Sequence, residues 1–168
     1  MFQIGQTVIY GMEGACTIED RKIMKVGRTR ASYYVLRPVF RATSTVFVPE
    51  DNPALLSKMR TVISQEEIHA ILQEAPLQEL DWIDDPNERK TEYQKILAGG
   101  ECLWLLRLIH ALHEHREHLQ RKGKYLRTAD DQMLRDAEKL LHDEFAVVLN
   151  IEQREVPGYI RSQIAFSA

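Results

Sequence analysis

The apolar pattern of this chain changes period once, near Ser64, and that change constrains the fold class more than any other feature. Before Ser64, short runs rich in β-branched and aromatic residues alternate with polar ones, the period-two signature of half-buried strands. Gln6–Tyr10 is one such run and ends at the turn Gly11-Met-Glu-Gly14. Ala15–Val26 is longer, with Thr17, Ile18, Ile23 and Val26 set among charges. Gly27-Arg-Thr-Arg30 reads as a hairpin loop, because glycine supplies the positive φ that tight hairpins need. Ser32–Arg37 and Ser44–Val48 follow, and Pro49, which has no amide proton for the ladder, closes the last run. Roughly four or five short strands in so little chain predict a small antiparallel barrel, since closure removes exposed edges. Residues 50–63 read as an irregular connector.

After Ser64 the apolar residues recur at intervals of three and four. Ser64-Gln-Glu-Glu67 has the form of a capping box, with Ile68, Ile71 and Leu72 as the stripe behind it and Pro76 beyond the helix end. Asp85-Pro86 is a helix start: the carboxylate accepts free amide protons and proline has none to lose. That helix carries Tyr93, Ile96 and Leu97 and stops at Gly99-Gly100. A long helix from about Glu101 to Arg121 presents Leu105, Leu108, Ile109, Leu112 and Leu119 at core spacing, and Gly123 breaks it. Thr128-Ala-Asp-Asp131 opens the last long helix, with Met133, Ala137, Leu140, Leu141, Phe145 and Val148 on one face. Pro157 and Gly158 punctuate a short tail with room for one more helical turn. Strands first and helices after predict an α+β chain of two segregated modules: a β-barrel over residues 1–63 and an all-α helical bundle over residues 64–168.

A hydrophobic share of 44% and a charged share of 28% fit a folded chain. No apolar run reaches the ~20 residues of a membrane span, and Met1–Gly11 lacks the basic start of a signal peptide, so the expected location is the cytoplasm, with no membrane partner. The net charge of −3 hides an asymmetry: residues 1–64 carry 9 Lys+Arg against 5 Asp+Glu, and residues 65–168 carry 13 against 20. A duplex-binding domain usually has a basic surplus, so the acidic second half argues against strong autonomous DNA binding.

The sequence offers no enzyme signature. Phosphate-binding and dinucleotide-binding glycine motifs are absent, as is a nucleophile elbow, so no cofactor and no small-molecule substrate is expected. Cys16 and Cys102 are far apart and read as small packed hydrophobes. His110, His113, His115 and His118 invite a metal reading, but at ~100° per residue they divide between two helix faces, so the expectation is a solvated surface without a metal. Asp84-Asp85 and Asp130-Asp131 sit at helix starts, where negative charge is favoured, and read as capping residues. Trp104, inside a helix, reads as bundle core. Trp82 lies in the polar connector Gln78-Glu-Leu-Asp-Trp-Ile-Asp-Asp85, where it is either an anchor for the connector or a ring exposed for contact. Arg89, Lys90 and Lys95 follow it, and Arg121, Lys122, Lys124 and Arg127 form a second basic group. Both groups read as solvated surface or as phosphate contacts.

The order of these residues resembles a known family. Phe2, Gly5, Val8, Tyr10, Gly14 and Ile18 are spaced as in the opening of CarD-type regulators. Tyr33-Tyr-Val-Leu36, Val46-Phe-Val-Pro49 with Asp51-Asn52, and Arg60 with Val62-Ile-Ser64 extend the likeness. The same module opens the polymerase-binding part of transcription-repair coupling factors, for whose motor domains this chain has no room. Trp82, Arg89, Leu97-Ala-Gly-Gly100 and the two long helices look like the family's C-terminal domain. The resemblance implies a Tudor-like barrel that pairs an edge strand with the RNA polymerase β-subunit, and a non-enzymatic regulator of open-promoter-complex lifetime. By position, Ile23, Lys25, Val26, Thr43, Thr45 and Phe47 take the polymerase role. Trp82, Arg89, Lys90 and Lys95 take the promoter-DNA role. In this chain Ile83-Asp-Asp-Pro-Asn-Glu88 separates the tryptophan from the basic residues, which in the family follow almost at once. A second reading is a protein-interaction adaptor whose acidic bundle binds another protein and never touches DNA.

Overall fold

The computed structural model describes residues 1–41 and 43–164; residues 165–168, which end the span expected for the helical domain, lie outside it. The chain divides into two compact units between Ile63 and Ser64.

The first unit is an antiparallel sheet of five strands: β1 (Thr7–Tyr10), β2 (Ala15–Val26), β3 (Thr29–Pro38), β4 (Val46–Pro49) and β5 (Met59–Thr61), in the order β4-β3-β2-β1-β5. The sheet is open, with β4 and β5 at its two edges, so a closed barrel is not what the strands form among the described residues. The strand lengths account for this. β1 pairs with β2 only at Ala15–Thr17, and β4 pairs with β3 only at Tyr33–Leu36. Ile23–Val26 and Thr29–Ser32 therefore run on as a hairpin ribbon, twisted past a register shift between Ile18 and Asp20. The core lies on one face, where Val8, Cys16, Ile18, Tyr34, Leu36, Val48 and Met59 meet Phe2, Tyr10, Leu55 and Leu56. The stretch read as irregular contains a short helix α1 (Pro53–Leu56), capped by the Asn52 side chain, and then β5. Three residues are too few to show a period, which is why β5 was invisible in the sequence.

The second unit is helical: α2 (Gln65–Glu74), α3 (Pro86–Gly99), α4 (Cys102–Gln120), α5 (Thr128–Leu149) and α6 (Val156–Gln163). The Ser64/Glu67 capping box forms with both of its hydrogen bonds. Asp85 caps α3 through the Asn87 and Glu88 amides, and Gly100 ends it in the left-handed conformation at φ 65°. The antiparallel pair α4 and α5 carries most of the core, through Leu105, Leu108, Leu112, Met133, Ala137, Leu141 and Phe145. Cys16 and Cys102 are buried and not disulfide-bonded. No helix of the described residues is long and apolar enough to cross a membrane.

Candidate functional site

In the first unit, the candidate site is the free edge of β4. Its register pairs Leu36 with Val46, Val35 with Phe47 and Tyr34 with Val48. The Glu50 amide donates to the Ser32 carbonyl at 2.9 Å. Antiparallel pairs alternate between hydrogen-bonded and non-hydrogen-bonded, so Val48 and Val46 bond back to β3 while the N–H and C=O of Phe47 turn outward. The strand alternates in burial too: Val48 is fully buried and the Phe47 ring is 46% exposed. Thr45, expected inside this strand, and Thr43 just before it are exposed residues that lead into β4. Ile23, Lys25 and Val26 are exposed on the ribbon, with Ile23 at 75%. Exposed apolar side chains beside an unpaired strand edge are features that strand addition by a partner uses. Arg21 fixes the end of β4: it donates to both Glu50 carboxylate oxygens at 2.7 and 3.1 Å, and its guanidinium lies 5.5 Å from the Tyr34 ring centroid. That hydrogen bonding holds the Glu50 carboxyl below the usual carboxylate range.

In the second unit, Trp82 is half-buried and packed. Its ring stacks on His115, with centroids 3.9 Å apart at 18°, and meets Tyr93 edge-on at 6.0 Å. The Arg89 guanidinium lies 4.5 Å from the Trp82 centroid. Burial, and next the nearby Arg89 charge, hold the His115 imidazole below the ordinary histidine range. The connector is tied to α3 by three hydrogen bonds: Tyr93 Oη donates to the Asp81 carbonyl, and Arg89 Nη1 donates to the carbonyls of Ile83 and Asp84.

Arg89 is therefore not a surface cation. It is buried and forms a bidentate pair with Asp130, Nε–Oδ1 2.9 Å and Nη2–Oδ2 2.7 Å. Its hydrogen bonds to the Ile83 and Asp84 carbonyls tie the tryptophan connector to α3. Asp130 is corrected with it: the carboxylate read as a capping group is the buried partner of Arg89, while Asp85 does cap. Lys90 and Lys95 are exposed, and Lys95 pairs with Glu92 at 3.0 Å. Trp104 is half-buried under the Arg107 guanidinium, 4.8 Å from its centroid, and lines a surface groove instead of the bundle core.

The structure also gathers residues that the sequence left scattered. Trp82, His115, His118 and Arg121 line one cavity of about 740 Å³ with Leu80, Glu114 and Glu117. Arg121 opens the loop that carries Lys122, Lys124 and Arg127, and Tyr125 stands 87% exposed among them. An aromatic between basic residues is the composition of a base-stacking surface, and that local pattern was available in the sequence.

Residues 2–63 match the family model of the CarD-like/TRCF RID domain, and the match ends where the helical unit begins. The likeness of Trp82 and the long helices to a family C-terminal domain lies beyond the matched segment. No curated protein matches the chain. Residues 2–63 are thus a CarD-like/TRCF RID module, and the match says nothing of the helical unit.

Proposed function

We propose that this protein is a non-enzymatic transcription regulator that docks on the RNA polymerase β-subunit through β4 and modulates the lifetime of the open promoter complex. The observation that carries the reading is the free edge of β4, with the Phe47 main chain turned outward, inside a module matched to an RNA polymerase-interacting domain family. A partner strand would pair with that edge through main-chain hydrogen bonds, while Ile23, Val26 and Phe47 supply apolar contact and Lys25, Thr43 and Thr45 flank it. The surplus of basic residues in this half favours encounter with an acidic surface.

Promoter DNA is met by the helical unit only once polymerase holds both. Trp82 is the wedge at an unstacked step, and Lys90 and Lys95 approach phosphates. Arg121 and the loop after it supply the phosphate contacts first expected of Arg89. Calorimetric titration of the full chain with an isolated β-subunit lobe tests the docking step; a saturable one-to-one complex supports it, and no heat of binding refutes it.

A specific feature favours the adaptor reading of the helical unit. Leu80, Ile83, Ile96 and Trp104 line a groove of about 610 Å³ bordered by Glu79, Asp81, Glu92 and Glu101. An apolar floor with four carboxylates on its border against the single Lys95, itself paired to Glu92, suits a basic protein segment better than a nucleic acid.

A further inference from the structure

The structure brings together three side chains that the histidine spacing alone did not. His110 and Glu114 stand one helical turn apart on α4, and Glu79 comes from the connector before α3. His110 Nε2 lies 3.7 Å from Glu79 Oε1 and 3.7 Å from Glu114 Oε2, and the three ligand atoms all fall within 4.8 Å of one another. Ligand atoms about 2.1 Å from a tetrahedral ion sit roughly 3.4 Å apart, so rotation of the two exposed glutamate side chains by about 1 Å would complete three corners of such a site.

The electrostatics point the same way. Two carboxylates face each other across one imidazole. An imidazole ligates through one nitrogen lone pair, so the set offers one nitrogen and two carboxylate oxygens. That donor set matches a first-row divalent cation, with Zn²⁺ favoured over Mg²⁺ by the imidazole. The carboxylate side chains are 45% and 60% exposed, while the His110 Nε2 atom is itself buried, so an ion would enter from the carboxylate side.

We propose that Glu79, His110 and Glu114 form a divalent transition-metal site. Glu79 lies three residues before Trp82, so a bound ion would staple the tryptophan connector to α4.

The test is a titration of the full chain with Co²⁺, read by visible ligand-field absorption, and with Zn²⁺, read by calorimetry. One saturable equivalent in the micromolar range is expected. Losing an outer-shell partner of a metal costs about 10–100-fold in affinity, so losing a direct ligand in Glu79→Gln, His110→Ala or Glu114→Gln should cost at least that. His113→Ala and His118→Ala should bind as the parent does. Circular dichroism of each variant verifies the fold, and Glu79→Gln, on an exposed connector, supplies the decisive comparison if His110→Ala is unstable. Absence of saturable binding overturns the site. So does binding that survives Glu79→Gln unchanged or disappears in His118→Ala, because the ion would then sit on surface histidines.

Discussion

Arg89 and Asp130 are 41 residues apart in sequence and form a bidentate ion pair with both side chains 4% exposed. Breaking a buried pair leaves an uncompensated charge, at a cost of about 3–5 kcal/mol. Arg89→Ala and Asp130→Ala should each destabilise the helical unit by that amount. The double variant should lose less than the sum, because the second substitution removes the stranded charge. Denaturant unfolding of the three variants measures both quantities, and strict additivity would contradict the pairing.

Trp82 rests on that pair. Trp82→Ala gives up the stack on His115 and the contact with Arg89, worth together about 1–3 kcal/mol. Among molecules that remain folded, open promoter complexes should decay roughly tenfold faster, the equivalent of about 1.4 kcal/mol in the barrier. Lost stability with unchanged decay would confine the ring to packing.

The helical unit should weaken in acid. Burial holds the His142 imidazole below the ordinary histidine range, with Glu138 and His113 as the charged groups that act on it. The folded state therefore binds this proton less readily than the unfolded state. Its stability is full above about pH 6.5 and falls as pH drops through that value. A hydrogen bond from His113 holds the Glu138 carboxyl below the carboxylate range, so its contribution is present above about pH 4.3 and fades at lower pH. Both slopes have the same sign. Thermal unfolding from pH 7 to pH 5 should show a falling Tm, and His142→Gln should flatten the fall.

Much of the architecture was legible because it is written in short-range signals. The Ser64-Gln-Glu-Glu67 box, the Asp85-Pro86 start and the Gly99-Gly100 stop each act within one helical turn, and the structure places helix ends at all three. β5 was not legible, since three residues in a polar connector have no period. The Arg89 pairing was half legible. Arg89, Tyr93 and Leu97 are spaced by four on α3 and all are buried, so the helical period already turned the arginine toward the core. Its partner was not, because no local rule links Arg89 to an aspartate on another helix.

Free duplex should bind poorly. The acidic helical half repels phosphate, and the exposed basic residues near Trp82 and in the 121–127 loop are few. Affinity for promoter DNA without polymerase should be ~10⁻⁴ M or weaker at physiological salt. Fluorescence anisotropy of labelled duplex gives this directly, and a sub-micromolar complex would contradict it.

The most direct test of polymerase docking through β4 is the affinity of the full chain for core RNA polymerase, measured beside Phe47→Pro. Proline removes the outward N–H of Phe47 and leaves the bonds of Val46 and Val48 to β3 in place. Losing a main-chain hydrogen bond of about 1.4 kcal/mol, together with the apolar contact of the ring, predicts at least roughly tenfold weaker binding by a variant that remains folded. Absence of binding by the parent chain, or equal binding by parent and variant, would contradict the account.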